Sequence, residues 1–125
     1  QQAEDFRKLA EFFRSKAEPV QEASTAKLLE LIKNDLSVGY PYGNAVSAEK
    51  PDRGALRCQV WSEKVTRMLQ SLLTRYKTEG EKMLENTGVW VCTVCGFVYV
   101  GNAAPDLCPV CKVPSWKFEK VEGRA

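Results

Sequence analysis

Two Cys-x-x-Cys hooks, Cys92-Thr-Val-Cys95 and Cys108-Pro-Val-Cys111, stand twelve residues apart near the end of this 125-residue chain. One such hook is compatible with a redox dithiol, but two at this separation point to a four-thiolate metal site. Two intervening residues let the chain curl so that both sulfurs of a hook meet one ion, and the second hook closes the tetrahedron from the other side. Size adds a second reason. A module of fewer than about 40 residues cannot bury enough apolar surface to fold unaided, so metal and packing must act together. Gly96 follows the first hook, where the backbone has to turn with positive φ, and Pro109 stiffens the second. Trp90, Phe97, Tyr99, Trp116 and Phe118 are the side chains expected to complete the core.

The rest of the composition mostly excludes. Lys plus Arg number 18 against 16 Asp plus Glu, which gives no case for nucleic acid. No apolar run approaches the length needed to cross a bilayer. A disulfide framework is disfavoured, because Cys58 is left over and no signal peptide points to an oxidising compartment; a cytoplasmic location is expected. The start at Gln1-Gln2 without methionine fits a processed product or a piece of something larger. The chain has no histidine, so zinc sites that use histidine are excluded.

Upstream of the hooks the sequence reads as helices, giving a helical region over 1–88 and a metal module over 89–125. Phe6, Leu9, Ala10, Phe13 and Ala17 recur at helical spacing and predict a core-facing helix over 3–17. Pro19 marks a kink or a new start, and an apolar pattern runs on over 19–36. Residues 37–53 hold two prolines and two glycines and read as a long loop, with Tyr40-Pro41-Tyr42-Gly43 a plain connector or a docking surface. Residues 54–86 form the clearest helix, striped by Trp61, Val65, Met68, Leu69, Leu72, Leu73, Tyr76 and Met83, with Gly88 available as its C-terminal cap. Cys58 on that helix reads as a buried, inert thiol. Glu11, Glu18 and Glu22 fall at helical steps, but such carboxylates are ordinarily solvated. The fold class is therefore a helical hairpin or three-helix region followed by a small metal-bound β module. Two hairpins would together make a four-helix bundle, a homodimer through the helical region; the alternatives are three shorter helices, broken at Pro19, that close up as a monomer, and a heterologous partner that supplies the missing face.

The residues around the hooks narrow the site further. Trp90-Val-Cys-x-x-Cys-Gly-Phe-Val-Tyr99, followed by Ala104-Pro-Asp-Leu-Cys-Pro-x-Cys-x-x-Pro114 and Phe118, resembles a rubredoxin. The short gap between hooks is similar to the C-terminal rubredoxin-like domain of rubrerythrins, over about residues 89–121; the helical region resembles no family. The resemblance implies one iron per chain, cycling between ferric and ferrous, with Cys92, Cys95, Cys108 and Cys111 as ligands. Lys112 departs from the pattern, since free rubredoxins usually place glycine after the last ligand. The di-iron site of rubrerythrins is built from glutamates and Glu-x-x-His motifs, and without histidine that peroxide-reducing chemistry does not carry over. What is implied is one-electron transfer, as a carrier or relay module rather than a stand-alone enzyme, with a redox partner protein such as a flavoprotein. Two other readings stay open: a structural zinc ribbon, since zinc accepts the same four thiolates, and a subunit or piece of a larger flavin-dependent oxidoreductase.

Overall fold

In the computed structural model, residues 1–17, 24–50 and 52–122 are described. The predicted kink at Pro19, the predicted helix start at 19, and Glu18 and Glu22 lie outside them. Helix α1 spans Gln2–Lys16, α2 Thr25–Asn34, α3 Tyr40–Glu49 and α4 Arg53–Glu79, and strands β1 Gly88–Cys92, β2 Val98–Gly101 and β3 Phe118–Lys120 follow.

Helices α2 and α4 each start at a side-chain cap. The Ser24 hydroxyl accepts from the Lys27 N–H at 3.1 Å, and Asp52 Oδ1 accepts from the Ala55 N–H at 2.8 Å. Each satisfies a donor that the first turn would otherwise leave unpaired.

The stretch 37–53 is not a loop. A π turn over Asp35–Gly39 joins α2 to α3, so residues 25–49 form one continuous helical rod. Proline and glycine misled the reading because their effect depends on the turn around them. In an unbroken α-helix the Pro41 ring would press on the carbonyl four residues back. Here the preceding turn is wide, with the Tyr40 N–H donating to Asp35 O five residues back, and Pro41 falls at the start of α3. A Cβ at Gly43 would meet the end of the Gln59 side chain on α4, so Gly43 lies against the facing rod.

The rod and α4 form an antiparallel hairpin. Tyr40 and Thr66 share a hydroxyl hydrogen bond of 2.8 Å, and Asn44 Nδ2 donates to Glu63 at 3.1 Å, so position rises along one helix as it falls along the other. Asn44 and the Arg67 guanidinium, the latter foremost, hold the Glu63 carboxyl below its ordinary range.

Helix α4 stops earlier than predicted. Gly80 is its C-terminal cap, and a 3₁₀ segment, Gly80–Leu84, carries the chain onward. Gly88 belongs to β1 instead, under the Trp90 ring, which donates its Nε1–H to Gly101 O at 3.1 Å. The three strands form an antiparallel sheet in the order β2-β1-β3, with Trp90 opposite Tyr99 on one side and Lys120 on the other.

Two further expectations are corrected. Cys58 is exposed rather than buried. The stripe on α1 covers nothing: Phe6, Leu9 and Phe13 are exposed, and α1 buries no residue.

Candidate metal centre

The sheet places the first hook and the long 102–117 connection places the second. Cys92 ends β1, where its N–H donates to Phe97 O at 2.8 Å and its carbonyl accepts from Gly96 N–H at 2.9 Å. The second hook repeats the same two bonds: Cys108 N–H donates to Val113 O at 2.8 Å, and Cys108 O accepts from Lys112 N–H at 2.9 Å. Both hooks therefore close into the same knuckle, with the residue after the second cysteine in the left-handed region, Gly96 at φ 80° and Lys112 at φ 64°. The Cys92 end is tied to the short turn just before β3 through Thr93, whose N–H and hydroxyl both donate to Lys117 O, at 2.9 and 2.8 Å.

The knuckles bring all four predicted sulfurs together, each within 4.8 Å of the others. Cys92 Sγ lies 3.6 Å from Cys111 Sγ and Cys95 Sγ 3.5 Å from Cys108 Sγ. A disulfide would need about 2.05 Å. Sulfurs held about 2.3 Å from a central ion in a tetrahedron lie ~3.8 Å apart. The donor set therefore fits a tetrahedral metal ion and not a pair of disulfides. Among the described residues this is the one group of three or more metal-ligating side chains with atoms this close.

The cysteines are also the core of the module. Cys92 and Cys108 are 1% and 0% exposed and pack with Phe118, whose ring meets Phe97 edge to face at 6.4 Å. Cys95 and Cys111, the second cysteine of each hook, remain half-exposed. The aromatic frame is smaller than predicted. Trp116 is 73% exposed, under the Lys117 ammonium at 4.4 Å, and Tyr99 also reaches solvent.

Without a cation such a cluster cannot be fully ionised. Burial pushes the Cys95 and Cys111 thiols up, although the Phe97 and Val113 amides each counter this. Burial also disfavours the Cys92 thiolate, but amides of Cys95 and Val94 donate to its sulfur and bring its pKa below the ordinary thiol value. Backbone donors to the sulfurs are expected of a four-thiolate site, but the turns decide which amides they are. Gly96 was the one signal for them in the sequence, since it marks a turn that aims amides inward.

The matched turns predict opposite responses to substitution. Gly96 has nothing within 4 Å of where a Cβ would sit, so Gly96→Ala should cost about 1–2 kcal/mol through left-handed strain alone. Lys112→Gly should return about 1 kcal/mol by the same logic, since the Lys112 Nζ bond to Pro109 O is exposed. Thermal melts of the metal-loaded variants measure both; a neutral Gly96→Ala would show that the turn is not strained.

The sequence model of the family "Rubrerythrin, rubredoxin-like domain" matches residues 90–119. This stretch is a rubredoxin-like domain of the rubrerythrin type. Rubrerythrin of Nitratidesulfovibrio vulgaris is 45% identical over 42 residues, 33% of this chain and 22% of that protein. Reverse rubrerythrin-1 of Clostridium acetobutylicum is 48% identical over 31 residues, 25% of this chain and 17% of its own length. A protein of Methanocaldococcus jannaschii described as a rubrerythrin is 50% identical over 30 residues, 24% of this chain and 15% of its own length. Those relatives thus share the rubredoxin-like domain with this chain, which spans less than a quarter of each of them. The solved structure of nigerythrin in its fully reduced, all-ferrous state superposes with a TM-score of 0.68, covering 84% of this chain and 52% of that one. At 16% identity this is a likeness of fold, and it extends from the rubredoxin-like domain into the helices.

Proposed function

We propose that Cys92, Cys95, Cys108 and Cys111 hold one iron per chain and that residues 89–125 relay single electrons for an oxidoreductase system, with residues 1–88 as their helical carrier. The observation that carries this reading is the closed four-sulfur cluster within a rubredoxin-like domain of the rubrerythrin type. Iron in four thiolates supplies reversible one-electron chemistry. The residues around the site suit that task. Two matched knuckles fix the four sulfurs, so little rearrangement accompanies a change of charge. With four protein donors there is no position for a substrate. Amides of Val94, Cys95, Phe97 and Val113 directed at the sulfurs, with the ammonium groups of Lys112 and Lys117 nearby in sequence, favour the more negative, reduced state. Cys95 and Cys111 face outward, which makes their edge the route to a partner protein, for which a flavoprotein is the natural class. A reducing, cytoplasmic setting suits the unpaired Cys58 and keeps the four ligand cysteines available to the ion. Among the described residues no helix is long and apolar enough to cross a membrane.

A visible spectrum before and after dithionite, with metal analysis, tests the proposal. About one iron per chain and a charge-transfer absorption that bleaches on reduction and returns in air are expected. A colourless protein carrying one zinc per chain would sink the redox reading and leave a structural ribbon.

A further inference from the structure

The helices leave one side of the metal module open. Helix α4 packs against β2, at one edge of the β2-β1-β3 sheet, while the short turn Ser115–Lys117 precedes β3 at the other edge. That turn stands against the first hook, because Lys117 O accepts both the N–H and the hydroxyl of Thr93. It carries Trp116, 73% exposed, with the Lys117 ammonium 4.4 Å from the centre of its ring. The second hook has an ammonium of its own. Lys112 follows the half-exposed Cys111 and donates from Nζ to Pro109 O inside the hook, at 3.2 Å. Each hook is therefore flanked by one lysine.

The acidic side chains stand elsewhere. Between Trp90 and Phe118 the one carboxylate is Asp106, set before the fully buried Cys108 rather than beside the outward pair Cys95 and Cys111. Phe118 points into the core with Cys92, so the alternation of β3 turns Glu119 to the other face of the sheet. Glu122 lies beyond the end of β3. Val94 in the first hook and Leu107, bridged to Pro114, add exposed apolar surface.

An exposed tryptophan rimmed by charge is the kind of side chain that anchors a protein interface. Its surroundings also select the partner. Lys117 already holds one face of the ring, so an arginine or lysine brought by a partner would be repelled there, whereas carboxylates would meet Lys112 and Lys117. Two lysines against one aspartate, with a bound tetrathiolate adding negative charge, leave the stretch close to neutral overall. Recognition thus rests on where the two ammonium groups stand rather than on long-range attraction. We propose that this side is the docking surface for an acidic flavoprotein, whose carboxylates pair with Lys112 and Lys117 around a Trp116 anchor. The partner's class rests on the relay reading above; the charge it must present and the anchor are what the turn and the knuckle add.

The zinc-loaded full chain, which is diamagnetic, is titrated with oxidised flavodoxin, an acidic flavoprotein, and followed by two-dimensional NMR. Amides of residues 93–96 and 109–117 should shift, while those of the 25–49 rod should stay in place. Lys112→Glu/Lys117→Glu should weaken binding at least about tenfold at low salt, and raising salt from about 20 to about 300 mM should weaken the unsubstituted pair several-fold. Trp116→Ala should cost about tenfold at either salt concentration. Glu119→Gln, on the other face of the sheet, should leave binding unchanged. A binding constant measured on zinc is blind to any effect of the lysines on the potential, and the dispersed strand amides in the same spectra show that each variant is folded. No shift up to millimolar flavodoxin, shifts confined to the helices, binding indifferent to Lys112→Glu/Lys117→Glu, or tighter binding of cytochrome c, a basic protein, would each overturn the proposal. Failure of the relay itself shows in the metal analysis and the dithionite spectrum, which this titration does not use, so the two can fail separately.

Discussion

Chelating the metal out of the loaded protein is expected to unfold residues 88–120 while the helices persist. The buried side chains of that stretch are Cys92, Cys108 and Phe118, so two of the three are sulfurs that the ion holds in place. Without it, four thiols are left with nothing between them, burial pushing Cys95 and Cys111 up while amides of Cys95 and Val94 bring Cys92 down. The three strands are only five, four and three residues long and cannot replace what is lost. Structural metal binding in comparable small modules is worth on the order of 10 kcal/mol, well above what one ring stacked on another supplies. The amide dispersion of β1–β3 and the environment of Trp90 should therefore collapse in the NMR and fluorescence spectra. Helical circular dichroism should fall only slightly. If the strand resonances survived complete removal of metal, the sulfurs would be packing groups first and ligands second.

Replacing single cysteines separates the site from the remaining thiol. Cys95→Ser and Cys108→Ser should each lower metal affinity by about a hundredfold or more, since losing even an outer-shell partner costs roughly 10–100-fold. The two differ in what they leave behind. Cys108 is fully buried at the centre of the module, so its replacement also strands a hydroxyl among Cys92 and Phe118 and should destabilise the fold further. Cys95 sits at the edge, where water can reach the new hydroxyl. Cys58→Ser should keep full metal content, because Cys58 lies on α4 and is no part of the four-sulfur cluster. Metal analysis after gel filtration reads all three. Full occupancy in Cys108→Ser, or loss of metal in Cys58→Ser, would refute the assignment of ligands.

How much of this was legible in advance varies with the range of the interactions involved. The hooks, the glycine turn after the first of them and the helical stripes are local features: a few adjacent residues impose them wherever the chain goes. They were enough to place the module, its four cysteines and the helical character of the first half. What the tertiary structure decided depends on contacts between residues far apart. Pro41 and Gly43 read as loop punctuation, yet a π turn accommodates the first and the second lies inside a helix against Gln59. Lys112 takes a left-handed turn because the second knuckle must mirror the first, and a lysine carries no local sign of that. Trp116 looked like core and Cys58 looked buried because residue type sets only the preference for an interior; which side the interior lies on depends on the packing of the whole chain. The α1 stripe makes the same point from the other side. Periodicity determined that Phe6, Leu9 and Phe13 share a face, but only the assembled fold shows that within one chain nothing buries it.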